Sequence, residues 1–191
     1  MLPKNRDAAV EIVQDTTPEF HIGPPTVKEI LMDSRKAIQL NLDMADFVGM
    51  AYLQDLTDAE LFHRPCDGGN HIAWQLGHLI VSEHELIEKV CPGTMPALPA
   101  GFAAKYTKAT AASNKPADFD TKAALISAFR IQREGTLKNL AKQSDTDLDQ
   151  LTGLDYAPTI GGLFSMMGSH WMMHGGQWAI IRRQLGRPPL F

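Results

Sequence analysis

Residues 160–185 read IGGLFSMMGSHWMMHGGQWAIIRRQL. The stretch follows Pro158, carries Arg182 and Arg183 in its last turn, and is stopped by Gly186 and the pair Pro188-Pro189, which is the punctuation of one long helix. At about 100° per residue, Ile160, Leu163, Met167, His170, Trp171, Trp178, Ile181 and Leu185 all fall within about 60° of His174. Both histidines thus occupy the middle of the stripe that should face a core. No carboxylate occurs from Tyr156 to the end of the chain.

A stripe of this kind requires other helices to cover it, and three more segments have the right pattern. From Thr26 to about Leu53, Val27, Ile30, Leu31, Ala37, Ile38, Leu42, Ala45, Phe47 and Val48 recur at three- and four-residue spacing without a proline. Asn70 is placed to cap a second helix that ends near Cys91, ahead of Pro92. Asp120 or Thr121 caps a third, carried to about Gln143 by Leu125, Ala128, Phe129, Ile131, Leu137 and Leu140. Residues 92–118, rich in proline and poor in periodicity, form a connection of unusual length. No strand pattern stands out. The expected fold is all-α: an antiparallel four-helix bundle over residues 26–191, behind an N-terminal arm at 1–25, with a long helix 2–helix 3 connection that leaves the packing order open.

With 191 residues, 44% of them hydrophobic, the chain can bury one sizeable core. A formal charge of -4 with scattered Lys and Arg argues against nucleic acid or anionic lipid as partners. No run approaches the roughly 18 apolar residues of a membrane span, and the charged N-terminal stretch lacks the apolar segment of a signal peptide, so a cytoplasmic location is expected. The two cysteines, Cys66 and Cys91, are expected as free thiols.

An unpartnered polar group in a core costs on the order of 1–3 kcal/mol, and two imidazoles one turn apart double the problem. A divalent cation removes it, because side chains at i and i+4 reach the same side of a helix. Hydrogen bonds from each ring to a carbonyl or water would remove it as well. A third metal ligand is available in the second helix, where His71, His78 and Glu85 are seven residues apart and share an arc with Trp74, Gln75 and Ser82. Spacing does not choose between His71 and His78. His84-Glu85-Leu86-Ile87-Glu88 lacks the second histidine of a zincin helix, and Glu60-x-x-His63 does not make a di-iron site, which needs carboxylates on several bundle helices, because the fourth helix has none. His21 and His63 are read as surface residues.

The segments WQLGHLIVSEHE and GSHWMMHGGQWAIIRRQLGRP, separated by a long gap, resemble the DinB-like superfamily of small bacterial four-helix proteins. The likeness covers about residues 27–190 and leaves the arm outside. It implies one divalent metal, zinc or nickel, held by three histidines that fall here on His78, His170 and His174. His71, Trp74, Gln75 and Trp178 then stand behind the ligands or around the pocket. Relatives include metal-dependent thiol transferases and isomerases that use a low-molecular-weight thiol, and they are frequently dimeric.

Three neutral imidazoles leave the ion its full double charge and at least one open position, so a thiol or water would be activated to attack a small-molecule electrophile. Glu85 is the general-base candidate from spacing. Phe102 and Tyr106 either cover the pocket or pack on one another within their loop. The alternative is a non-catalytic, dimeric helical bundle with a structural metal or none, in which Met172, Met173 and Ile180, directed away from the histidine stripe, lie in an interface or beneath the arm.

Overall fold

The structure, a computed structural model, describes residues 32–191. The expected arm at 1–25, His21 and the first positions of the helix expected from Thr26 lie outside the described residues. Helix α1 spans Ser34–Gln54 and is capped by Asp33, whose carboxylate accepts the Lys36 N–H. Helix α2 spans Ile72–Val90, α3 Lys122–Lys142, α4 the single turn Asp145–Leu148, and α5 Ile160–Gln184. Thr121 and Thr159 cap α3 and α5 through their hydroxyls. The cap of α2 is His71 rather than the expected Asn70: the imidazole accepts the Trp74 N–H, while Asn70 offers only its backbone carbonyl, to the Gln75 amide. The turn α4, held by a capping box between Ser144 and Asp147, is absent from the periodicity because four residues carry no repeat. No helix of the described residues is long and apolar enough to cross a membrane.

The all-α architecture is as expected, and side-chain contacts give the direction of each neighbour. Asn41 donates to the Ser165 carbonyl at 2.7 Å and Arg182 to the Tyr52 carbonyl at 2.9 Å, so α1 and α5 run the same way. Thr136 meets Glu83 at 2.6 Å and Gln143 meets Cys91 at 3.7 Å, so α2 and α3 also run the same way. By contrast α1 opposes α3, with Asp46 facing Arg133 and the Gln54 carbonyl facing Lys122, and α2 opposes α5. Two neighbouring pairs are thus antiparallel and two parallel. A parallel pair needs a connection that returns along the bundle, and residues 91–121 supply it between α2 and α3.

The core has two apolar layers. One gathers Leu53, Ile72, Leu76, Phe129, Trp171 and Trp178; the other gathers Leu42, Ile87, Leu140, Leu163, Phe164 and Met167. Between them lies a buried ionic group drawn from α1, α2 and α3. Arg133 is 3.1 Å from Glu83 and 3.4 Å from Asp46, and Thr136 donates to the other Glu83 oxygen. The Arg133 contacts are close as ion pairs but off-axis as hydrogen bonds. Its guanidinium also lies 5.4 Å from the Phe129 ring centre and 5.9 Å from that of Trp171. Three long helices therefore supply the polar groups of this layer, and α5 adds the Trp171 ring against it.

Candidate metal centre

His78 on α2 and His170 and His174 on α5 face one another across the antiparallel pair. Each offers a ring nitrogen, and the three lie within 4.8 Å of one another. The ring centres are 5.3 Å apart for His78 and His170, 5.8 Å for His78 and His174, and 5.0 Å for His170 and His174. Among the described residues no fourth histidine, cysteine or carboxylate belongs to the group. His174 is buried; His78 and His170 are half-buried. The His78 ring is stacked on Trp74, centres 4.9 Å apart and planes 7° from parallel, which fixes the face that it turns to α5.

The protonation state of His174 follows from its neighbour. The Gln75 side-chain oxygen receives the Trp178 indole N–H at 2.9 Å and faces His174 Nδ1 at 2.9 Å. The Gln75 amide nitrogen donates to the Asn70 carbonyl and, at 3.0 Å, to the Gln177 oxygen. An indole only donates and a backbone carbonyl only accepts, so the amide cannot be flipped. His174 Nδ1 therefore carries hydrogen, and its Nε2 keeps a free lone pair. Burial moves the histidines in the same direction: it lowers the pKa of His170 and His174 to about 4, helped by the neighbouring imidazoles, and lowers that of His78 against the opposing Glu85 carboxylate. Neutral rings with a fixed tautomer are the state in which imidazole ligates a divalent ion. The donor set fits such an ion.

His71 cannot serve the same purpose. Its Nδ1 accepts the Trp74 N–H at 3.1 Å and its Nε2 donates to the Ser113 carbonyl at 3.1 Å, so both nitrogens are consumed in tying the connection to the start of α2. Trp74 also holds that connection, donating to the Thr107 carbonyl at 3.1 Å.

A cavity of about 430 Å³ opens beside His170, along the groove between α2 and α5. Ser82, Leu86, Met166, Ser169, His170, Met173 and Tyr156 line it. Glu85 is exposed and is not part of its wall. Phe102 and Tyr106 do not cover it either: their rings lie 4.8 Å apart, and Tyr106 is buried against Gly77 with its hydroxyl donating to Asp120 at 2.9 Å. Glu60 pairs with Arg187, His63 with Gln184 and His84 with Gln132, none of them near the group. Leu86, Met166, Ser169 and Tyr156 escaped the sequence reading as wall residues, and Met173, expected to be directed away from the histidine stripe, shares the wall with His170. The position of Met166 one turn before His170, matching Leu86 two turns after His78, is the signal that could have found the wall; Tyr156 lies in a loop without periodicity.

A family model of the DinB superfamily matches residues 50–178, a span that includes all three histidines. No curated protein matches the chain.

Proposed function

The chain belongs to the DinB superfamily, and from that premise we propose that His78, His170 and His174 hold a divalent metal ion, zinc or nickel, at the centre of an enzyme acting on small molecules. The observation that carries the reading is the convergence of three neutral ring nitrogens from two helices, without a fourth protein ligand among the described residues, beside a cavity. The ion supplies Lewis-acid chemistry that favours the anionic form of a thiol or water near neutral pH. The chain's part is to orient the ligands and shape the groove. Gln75 holds the His174 ring, Trp74 holds the face of His78, and Leu86 and Met166 line the α2/α5 groove with apolar surface. No side chain is assigned as general base, because Glu85 lies outside the cavity wall. Transfer of a low-molecular-weight thiol, or hydrolysis, is the reaction class that this arrangement supports.

The test is metal analysis of the purified protein beside His174→Ala, followed by a screen of thiols and electrophiles with the zinc- and nickel-loaded forms. One equivalent of metal in the wild type, its loss in the variant and the parallel loss of any activity found are expected. Activity that survives in the metal-free variant overturns the reading. A second reading, a self-associating bundle without catalysis, is favoured by the exposure of Met44 and Phe47 on α1 and of Met172 and Ile180 on α5. Sedimentation shows whether these faces join two copies.

A further inference from the structure

The cavity at His170 continues the groove between α2 and α5 away from the imidazoles. His78, Ser82 and Leu86 follow one another at four-residue spacing on α2, and Met166 and His170 do so on the opposed α5, so one continuous wall joins the histidines to the cavity's far end. Its composition is informative. Leu86, Met166, Met173 and the Tyr156 ring supply apolar surface, while Ser82, Ser169, His170 and the Tyr156 hydroxyl are the polar groups. No Lys, Arg, Asp or Glu contributes to the wall. A charged group on the body of a ligand would give up water there without meeting a counter-charge. Met side chains adapt to irregular apolar shapes at little cost. The volume of about 430 Å³ lies within the range of small-molecule sites. At liquid-like packing, about 25 Å³ per non-hydrogen atom, it takes roughly 17 of them.

We propose that this cavity binds the body of the electrophilic substrate, an uncharged and mainly apolar group of about that size, with the reacting atom at the His170 end and its one polar function within reach of Ser82 or Ser169. The assignment of the body to a substrate rests on the functional reading above; the binding preference does not. The walls belong to the protein whether or not the histidines hold an ion, so the preference is measurable in metal-free protein. A charged peptide thiol does not fit this cavity and would have to approach from the open side.

The experiment uses the full chain with ¹³C-methyl-labelled methionine, metal-free and zinc-loaded, titrated with 4-phenylbutanol and separately with glutathione. The alcohol is expected to shift the Met166 and Met173 methyl signals saturably in both forms, and glutathione is expected to leave them unmoved in the metal-free form. Leu86→Trp fills the cavity and should weaken the alcohol at least about tenfold. Met173→Trp narrows the same wall at a position 59% exposed, which tolerates bulk, and should act in the same direction. Methyl signals that stay fixed to millimolar alcohol, or that move as far with glutathione in the metal-free form, overturn the proposal. Zinc content of the same samples, beside His174→Ala, judges the metal reading on its own. A protein that binds the alcohol but not zinc keeps the cavity assignment and loses the chemistry.

Discussion

The Gln75 side-chain oxygen lies 2.9 Å from His174 Nδ1, so a residue with no place in a metal's coordination sphere decides which nitrogen of His174 is free. The same oxygen accepts the Trp178 N–H, and the amide nitrogen is fixed by Asn70 and Gln177. Gln75→Leu removes this control and leaves two buried N–H groups without an acceptor, at about 1–3 kcal/mol for each. Zinc affinity, measured by chelator competition, should fall by about 10–100-fold, as happens when the outer partner of a ligating histidine is lost. Gln75→Glu retains an acceptor for both N–H groups and should bind zinc more tightly than Gln75→Leu does. Equal affinities for wild type and Gln75→Leu would show that His174 does not depend on its neighbour.

Acid should separate stability from metal affinity. The rings of His170 and His174 have a folded pKa of about 4, below the unfolded value near 6.5, so between these pH values the unfolded chain binds more protons than the folded one. The stability they confer is complete above about pH 6.5 and is lost as pH falls toward 4. Each ring contributes on the order of 1–3 kcal/mol. Asp46, raised to about 7 by burial, has the opposite slope, so the histidine part is read as the difference between wild type and the double variant His170→Leu, His174→Leu. In urea unfolding of metal-free protein, the double variant should gain on wild type as pH is lowered from 6.5 to 4.5. Zinc affinity of the folded wild type should meanwhile change little between pH 7 and 6, because burial holds all three imidazoles below their ordinary pKa. An affinity that drops tenfold between pH 7 and 6 would contradict this.

Much of the fold was legible because helix ends and stripes are local. Thr121 and Gly186 act at the positions their chemistry predicts, and the His170–His174 pair is readable because a four-residue step keeps both rings on one side of α5. The choice between His71 and His78 was not readable. Seven residues return to nearly the same angle, so both share an arc, and the Ser113 carbonyl that occupies His71 is 42 positions away in the chain. Helix direction was hidden for a related reason: a stripe marks which face is buried but not which neighbour buries it. Burial of Asp46 and Glu83 has no local signal, since the arginine that draws them inward is on a helix separated from theirs by a long connection.

Gly77 should not tolerate a methyl group. A Cβ there would lie 2.1 Å from the Tyr106 ring, which is buried and anchored through its hydroxyl to Asp120. Alanine gains about 1 kcal/mol of helix propensity over glycine, but overpacking a fixed ring costs about 1–3 kcal/mol. Gly77→Ala is therefore expected to lower the unfolding midpoint and to loosen residues 102–106 in hydrogen exchange. Gly176→Ala is the control: it is exposed on α5 and meets nothing within 4 Å, so only the propensity gain remains and the midpoint should rise. A stabilised Gly77→Ala would mean that the Tyr106 ring does not sit on α2.

Arg133 neutralises two carboxylates that burial drives toward their acid forms: Glu83 is raised by burial against the pull of Arg133, and Asp46 is raised to about 7 for the same reason. Arg133→Met strands both, and removing one member of a buried ionic group costs about 3–5 kcal/mol. The deficit should depend on pH. A carboxylate whose folded pKa is raised is held least unfavourably when protonated, so the variant should lie closest to wild type near pH 5 and fall away as pH rises to 8. Replacing the group together, as Asp46→Asn, Glu83→Gln and Arg133→Met, removes the stranded charge and should recover most of the loss at pH 8, although each single change destabilises. Urea unfolding of the two variants at pH 5 and 8 reads both effects. If the single variant matches wild type at pH 8, the layer between the two halves of the core is not held by charge, and the triple variant should then show no recovery.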